Sequence, residues 1–237
     1  MYGAIFGDII GSRFEFDRGG KTKDFELFTT DDDFTDDTAM TVAVADGLMK
    51  AGKDASVEEI KKSVIKAMQD WGHRYPNAGY GGKFYGWLFY SRDPQPYGSY
   101  GNGSAMRVSA AGWLYDSLER TREVARATAE VTHNHPEGIK GAECTAAVMY
   151  LGRTGVSKKD IEEYVIREFG YDFTESLDEM RKRHNCDAEG TALNYAVLSE
   201  TVGKMRRACS PVAMSAVLDE DDCFEEIRED YEKRGRA

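Results

Sequence analysis

Long apolar runs and long basic runs are both missing from this sequence. No apolar segment among its 237 residues reaches membrane-spanning length, and the N-terminus lacks a basic region followed by an apolar core. We therefore expect no transmembrane helix and no secretory signal, and we expect a cytoplasmic protein. The net charge is −11 and no uninterrupted run of Lys and Arg is longer than three residues, which disfavours a protein that binds duplex nucleic acid.

Cysteine is scarce as well, and its spacing disfavours two classes of small site. The four residues are Cys144, Cys186, Cys209 and Cys223, and no two of them form a CxxC pair. That spacing predicts neither a thiolate zinc site nor a disulfide framework. Reduced thiols agree with the cytoplasmic expectation.

What the sequence does contain predicts one helical domain. Hydrophobic residues make up 41% of the chain, with 13 Tyr, 11 Phe and 3 Trp, which is enough for a substantial core. Apolar residues recur at helical spacing, and a capping box at Ser56 opens one of the helices. The predicted helices cover residues 2–11, 38–49, 57–71, 84–89, 108–118, 121–131, 137–151, 157–169, 173–182 and 191–202. We predict an all-α fold with a single compact multi-helix domain over residues 1–237.

The most unusual stretch is acidic. Residues 31–38 are Asp-Asp-Asp-Phe-Thr-Asp-Asp-Thr, so five carboxylates fall within seven residues. The first three fit a plain acidic loop, whereas Thr35, Asp36 and Asp37 directly precede a buried helix. Capping that helix needs one carboxylate, not two flanked by hydroxyl groups. Clustered hard oxygen donors suit Mg²⁺, Mn²⁺ or Ca²⁺ rather than zinc, and we predict a metal site here.

Two further carboxylates lie in apolar surroundings. Asp8 belongs to the predicted helix over residues 2–11, where it either faces the acidic stretch or lies on the surface. Glu15 stands between Phe14 and Phe16, and it is either an exposed residue or a carboxylate held in an apolar pocket. The residues by themselves leave both pairs of alternatives open.

A long segment rich in Gly, Tyr and Pro covers residues 72–100 and ends in GSYGNGSAMR at residues 98–107. A loop of that length inside a compact domain is usually functional. Glycine-rich backbone at the start of a helix presents free N–H groups to an anion. No strand precedes this segment, which disfavours a dinucleotide-binding fold.

Two histidines lie in THNHP, at residues 132–136, between two predicted helices. His133 and His135 are two positions apart and do not share a helical face, which disfavours a zinc site made by both. A histidine at a helix junction is most often structural. The functional alternative is a hydrogen bond to a ligand hydroxyl group.

Four stretches in this order resemble the ADP-ribosylglycohydrolase family. They are GAIFGDIIG at residues 3–11, FTDDT at 34–38, GSYGNGSAMR at 98–107 and THNHP at 132–136. The resemblance spans roughly the whole chain in the order of its elements. It implies an all-α fold whose central cleft binds a pair of divalent ions, usually Mg²⁺, with Mn²⁺ as the substitute.

The same resemblance implies roles for individual residues. Thr35, Asp36 and Asp37 would be metal ligands, and Asp36 would also be catalytic. Glu15 would lie beside the scissile bond as the second catalytic residue. The diphosphate of ADP-ribose would bind to Gly98, Ser99, Tyr100, Gly101 and Asn102, and His133 would contact ribose or phosphate.

The sequence departs from the family pattern near its C-terminal end. Family members carry a second acidic motif, Gly-Gly-Asp-x-Asp-Thr, which completes the metal pair. Here residues 209–214 and 223–228 resemble the approach to that motif, and the motif itself does not follow. We therefore expect a C-terminally shortened member of the family, and we expect that apolar surface uncovered by the shortening favours a homodimer.

Two functions are consistent with this pattern. The first is hydrolysis, with divalent metal assistance, of the glycosidic bond between ADP-ribose and a protein side chain or related acceptor. The alternative is a catalytically weak or inactive relative that binds ADP-ribose or regulates another protein. The retained motifs disfavour a purely structural role.

Overall fold

The computed structural model describes residues 2–14, 26, 28–171 and 173, and every regular element in these ranges is helical. The α-helices are α1 (Tyr2–Gly11), α2 (Asp36–Ala51), α3 (Val57–Arg74), α4 (Gly82–Phe89), α5 (Gly103–Met106), α6 (Ser109–Leu114), α7 (Leu118–Glu130), α8 (Pro136–Arg153) and α9 (Lys158–Phe169). The all-α prediction is therefore confirmed, while the single domain over residues 1–237 stays a prediction.

Helix α8 has more buried residues than any other helix in the described part of the chain. Ten of its residues are buried: Gly138, Gly141, Ala142, Glu143, Cys144, Thr145, Ala146, Ala147, Val148 and Met149. Most of these side chains are small, so α5, α6, α7 and α9 can all pack directly against α8. This packing places the loops on either side of α5 next to the N-terminal end of α8.

Helices α2 and α3 form a second close pair. A Cβ atom added to Gly47 of α2 would lie only 2.8 Å from the Cα of Val64 in α3. The Ser63 hydroxyl donates a hydrogen bond to the Gly47 carbonyl at 2.7 Å. Glycine at position 47 therefore lets the two backbones approach closely, which fixes α2 and the residues at its N-terminus.

The predicted helix starts agree with the structure at two places. The Ser56 hydroxyl accepts a hydrogen bond from the Glu59 N–H, and the Glu59 carboxylate accepts one from the Ser56 N–H at 2.8 Å, which is the predicted capping box. Pro136 occupies the first turn of α8, and the His135 side chain caps that helix. These local signals act over only a few residues, so the sequence reveals them.

The predicted helix over residues 108–118 is too long. Helix α6 covers only Ser109–Leu114 of this range, and Tyr115 after it is extended; the separate four-residue helix α5 precedes it. Ser117 then caps α7, with its hydroxyl accepting from the Arg120 N–H at 3.2 Å. A serine that can accept a hydrogen bond from the N–H group three residues later favours the start of a new helix over continuation of α6. A four-residue helix has only a weak dipole, which removes that part of the anion-site prediction.

Several predictions fall on residues that the structure does not describe. They are the helices over residues 173–182 and 191–202 and the carboxylate Glu15. Across the described helices, none is both long enough and apolar enough to span a membrane.

Candidate functional site

Asp8 and Thr35 together cap the N-terminus of α2. Asp8 is buried, and its carboxylate accepts hydrogen bonds from the Thr35 N–H (2.8 Å), the Thr35 hydroxyl (2.6 Å) and the Thr38 N–H (3.1 Å). The Thr35 hydroxyl accepts from the Asp37 N–H at 3.3 Å. Of the two alternatives for Asp8, the one that faces the acidic stretch is therefore correct.

Asp36 and Asp37 lie in the first turn of α2, and both side chains are half-buried. The N–H groups of Thr35 and Thr38 donate to Asp8, and the N–H group of Asp37 donates to Thr35. The helix dipole favours negative charge at this end. Asp8 and Thr35 therefore fulfil the capping alternative considered from the sequence, and Asp36 and Asp37 add two further carboxylates at the same end of α2.

Thr35, Asp36 and Asp37 have the right chemistry for a hard divalent cation. All three donors are oxygen atoms, which Mg²⁺ and Mn²⁺ prefer. Within the part of the chain that the structure describes, no three His, Cys, Asp or Glu side chains converge on one point. The residues present therefore fit part of a coordination shell, and water or other groups would have to supply the rest.

The first half of the acidic stretch has a structural role, as expected for a loop. Asp32 accepts hydrogen bonds from the N–H (2.7 Å) and hydroxyl (3.3 Å) of Thr29, and its Oδ1 lies 3.4 Å from Nη1 of Arg13. Asp33 accepts a hydrogen bond from the N–H of Phe34 at 2.8 Å. These contacts hold the loop against the end of α1 and distinguish Asp32 and Asp33 from the two aspartates in α2.

The glycine-rich segment forms a tight bend held by side chains. Gly98 adopts φ +66°, in the left-handed region, and its N–H donates to Oδ1 of Asn134 at 2.7 Å. The Ser99 hydroxyl accepts from the Gly101 N–H at 3.3 Å. The bend therefore has a defined shape that depends on three residues of its own and one from the THNHP stretch.

Other N–H groups of the bend have the character of an anion site. Among the described residues, no acceptor binds the backbone N–H of Ser99, Tyr100 or Asn102. The Tyr100 side chain is exposed, and its ring lies 5.5 Å from the ring of His135. Several unbound donors in one bend favour an acceptor-rich ligand such as a phosphate group.

The bend packs tightly on the start of α8. A Cβ atom added to Gly138 would lie 2.7 Å from the Ser99 carbonyl oxygen and 3.0 Å from Cβ of His133. The buried Ser104 hydroxyl donates to the Gly138 carbonyl at 2.8 Å. Position 138 therefore admits only glycine, and this contact sets the distance between the bend and His133.

His133 belongs to a buried polar group that the structure reveals. Its Nδ1 lies 2.6 Å from the Thr132 hydroxyl, which accepts a hydrogen bond from Nη2 of Arg107 at 2.7 Å. Arg107 is fully buried and also donates to the Thr128 carbonyl at 3.2 Å. Burial lowers the pKa of His133 to about 3, with the Arg107 charge as the second cause. Burial also lowers the pKa of Arg107, to about 10.

Arg107 connects the two parts of the candidate site. Its charge acts on His133 beside the bend, and the Asp36 carboxylate acts on Arg107. The Thr41 hydroxyl of α2 donates to the Met106 carbonyl at 3.2 Å, which holds the two segments together. The structure thus brings the acidic end of α2 and the bend near one buried cation.

The sequence predictions missed Arg107 and Thr132. One signal in the sequence could have revealed Arg107: it is a lone arginine beside apolar residues, with no acidic residue nearby in sequence. Buried arginines are rare, and the side-chain hydrogen-bond acceptor of this one is a neutral hydroxyl group 25 residues away. Glu15, the other predicted catalytic residue, lies outside the described residues and stays a prediction.

The low pKa of His133 predicts acid sensitivity of the fold. An unfolded histidine titrates near pH 6.5 and the folded one near 3, so the unfolded chain binds the extra proton between these values. The free energy of unfolding should therefore fall as pH decreases below about 6.5, by up to about 1.4 kcal/mol per pH unit from this residue. Urea unfolding at pH 7 and pH 5 measures the fall, and His133→Asn should reduce it. An unchanged pH dependence in the variant would contradict the assignment.

Comparison of the sequence with known proteins identifies its family. The chain is 30% identical to ADP-ribosylhydrolase ARH3 of Mus musculus over 140 residues, which are 54% of this chain and 36% of the relative. It is 29% identical to ADP-ribosylhydrolase ARH3 of Gallus gallus over 147 residues, covering 56% and 39%. With ADP-ribosylhydrolase ARH3 of Danio rerio the identity is 27% over 225 residues, covering 83% and 56%.

The matched region spans well under two thirds of the length of each of these relatives. The family comparison covers far more of the chain. The model of the ADP-ribosylglycohydrolase family matches residues 1–231, which include the acidic end of α2, the bend and His133. On this match the chain belongs to the ADP-ribosylglycohydrolase family.

Proposed function

We propose that this protein binds ADP-ribose and hydrolyses its glycosidic bond to a protein side chain or related acceptor, with help from Mg²⁺ or Mn²⁺. One observation carries the proposal: the carboxylate of Asp36 in α2 acts on the charge of Arg107, and Arg107 is linked through Thr132 to His133, which lies against the bend. An anion site and a cation site next to each other suit a ligand with both a diphosphate and a ribose. Membership of the family supports the same substrate class.

The diphosphate would bind to the bend. The N–H groups of Ser99, Tyr100 and Asn102 supply donors, and the buried charge of Arg107 favours an anion at this place. This local positive field explains how a protein of net charge −11 can bind an anionic ligand. His133 would contribute a further hydrogen bond to ribose or phosphate.

The reaction would take place at the acidic end of α2. Cleavage at the anomeric carbon of ribose passes through an oxocarbenium-like state. A nearby carboxylate can stabilise this positive charge, or it can activate the water that attacks the carbon. Asp36 is proposed for this role together with Glu15. Thr35, Asp36 and Asp37 would hold Mg²⁺, which, when bound, supplies positive charge that orients ribose hydroxyl groups and water.

Calorimetry and a release assay test the proposal together. ADP-ribose is titrated into the protein with and without Mg²⁺, and release of ADP-ribose from an ADP-ribosylated protein is followed under the same conditions. Binding with Mg²⁺-dependent release supports the hydrolase. Binding without release favours the regulatory alternative, and no binding in either condition overturns both.

A larger side chain at Gly101 should block binding without unfolding the protein. A Cβ at this position would meet only Oγ of Ser99 at 3.6 Å and Nε2 of His133 at 4.0 Å, so the fold accommodates it. A valine would, however, project from the bend and keep phosphate oxygens away from the N–H groups. We expect Gly101→Val to weaken ADP-ribose binding at least about tenfold, a loss of about 1.4 kcal/mol.

Gly81→Val is the matched control for this experiment. Gly81 has φ −60°, and a Cβ there would meet no atom within 4 Å. Gly81 lies before α4 and outside the bend, so the affinity of the Gly81→Val variant for ADP-ribose should stay at the wild-type value. Equal affinity of Gly101→Val and wild type would remove the bend from the proposed binding site.

A further inference from the structure

Arg107 is a buried cation without a close counterion. Its side chain is fully buried, and no carboxylate in the described ranges lies within salt-bridge distance of it. Its Nε has no hydrogen-bond acceptor among the described residues, while Nη2 donates to Thr132 and Thr128. Burial of an unpaired charge is costly, so a purely structural purpose is a poor explanation for an arginine at this place.

The hydrogen bonds around Thr132 fix the position of each proton. Arg107 can only donate, so the Thr132 hydroxyl oxygen must accept from it. The hydroxyl proton then needs an acceptor of its own, and Nδ1 of His133 at 2.6 Å is the acceptor that the described residues offer. Nδ1 can accept only when it carries no proton. A neutral imidazole with an unprotonated Nδ1 has its proton on Nε2.

The other side of the imidazole faces the bend. A Cβ atom added to Gly103 would lie 3.1 Å from Nε2 of His133, and one added to Gly101 would lie 4.0 Å from it. The ring of Tyr97 packs beside the imidazole, with ring centroids 6.1 Å apart. The Nε2–H group is therefore directed toward the backbone between residues 101 and 103, where the proposed ligand would lie.

We infer that Arg107 and Thr132 are positioning residues that hold His133 as the neutral Nε2–H tautomer and direct this N–H at an oxygen acceptor of the bound nucleotide. The inference rests on the proposed function where it names ADP-ribose as that nucleotide. His133 then acts as a fixed donor, because its other nitrogen is occupied by Thr132. Such a donor recognises a phosphate or hydroxyl oxygen and repels a ligand that presents its own donor.

The position of the Arg107 charge supports this assignment independently. A second proton on His133 would place two cations side by side in a buried region, which is strongly unfavourable. The Thr132 hydroxyl would also lose its acceptor, because both ring nitrogens of a charged imidazole are donors. The same contacts that select the tautomer thus also keep the ring neutral.

Nuclear magnetic resonance of the ligand-free protein tests the tautomer directly. Histidine is labelled with ¹⁵N, and the two ring nitrogens of His133 are assigned with the His133→Asn variant as reference. In wild type at neutral pH we expect a protonated Nε2 and an unprotonated Nδ1. A protonated Nδ1 would overturn the inference, whether or not the protein binds ADP-ribose.

Variants of Thr132 separate positioning from simple packing. Thr132→Val keeps the shape and removes the hydroxyl group, so we expect both tautomers to be populated and ADP-ribose affinity to fall about tenfold. Thr132→Ser keeps the hydroxyl and should restore both the single tautomer and the affinity. A pure Nε2–H tautomer in Thr132→Val, or failure of the serine to restore it, would contradict the role of the hydroxyl.

A third variant tests the arginine. Arg107→Met removes the donor to the Thr132 hydroxyl and to the Thr128 carbonyl. The hydroxyl proton can then turn to the freed Thr128 carbonyl while its oxygen accepts from Nδ1–H, so we expect the Nδ1–H tautomer to appear. Retention of the single Nε2–H tautomer in this variant would remove Arg107 from the inference. If Arg107→Met does not fold, the Thr132 variants test the inference by themselves. Wild-type protein with the expected tautomer but no affinity for ADP-ribose would contradict the proposed function and leave the positioning role intact.

Discussion

Replacement of Asp36 by asparagine is expected to lower the affinity for Mg²⁺ at least about 100-fold, since even partners outside the coordination shell contribute 10- to 100-fold. The side chain keeps its size and loses the charge that a hard cation requires. The fold should persist, because Asp8 and Thr35 still accept the hydrogen bonds that cap α2 in the variant. ADP-ribose release should slow by about 100- to 1000-fold, as expected when charge stabilisation is removed from a reaction site.

Titration calorimetry with Mg²⁺ and Mn²⁺, followed by the release assay, measures both effects. Asp33→Asn is the matched control, since it makes the same chemical change in the same acidic stretch. Asp33 is exposed and accepts a hydrogen bond from its neighbour Phe34, outside the paired aspartates. Equal metal affinity of the Asp36 and Asp33 variants would show that the charge of the stretch matters and that Asp36 is not a ligand.

Loss of both arginines that surround Glu143 should strongly destabilise the helical packing. The Glu143 side chain is only 6% exposed, with Nη2 of Arg122 at 3.2 Å from Oε2 and Nη2 of Arg126 at 2.6 Å from Oε1. Arg122→Met with Arg126→Met leaves this carboxylate buried without a cation. We expect a loss of about 3–5 kcal/mol in the free energy of unfolding.

The reverse change should cost much less, because the two arginines reach solvent. Their side chains are 31% and 53% exposed, so both stay hydrated when Glu143→Gln removes the charge between them. Adding Glu143→Gln to the double methionine variant should therefore restore part of the lost stability. Urea denaturation of all variants gives the comparison, and a triple variant no more stable than the double one would contradict the buried-charge explanation.

Local signals account for most of what the sequence predicts correctly. Helical periodicity and caps such as Ser56 with Glu59 act within one turn, and the structure has helices where they predict them. The predicted helix over residues 108–118 extended too far because Ser117 offers a competing cap, which apolar periodicity does not take into account. Outside the described residues, the predictions for Glu15 and the C-terminal helices stay predictions.

The site was only partly predictable because its decisive contacts join distant residues. Asp8 accepts from Thr35 across 27 positions, and Arg107 donates to Thr132 across 25. Spacing along the chain carries no information on such pairs. The acidic stretch and the bend were identifiable because each concentrates its unusual residues within a few positions.

The contact between Gly138 and the bend has a consequence for the entropy of ligand binding. The bend is held at Gly98 by Asn134, at Ser99 by close packing on Gly138, and just beyond it by the buried Ser104 hydroxyl. A free loop would lose backbone freedom when a ligand orders it, at roughly 1–2 kcal/mol per residue. Here folding itself already restricts these residues. A larger share of the binding free energy of each N–H contact would therefore remain as net affinity.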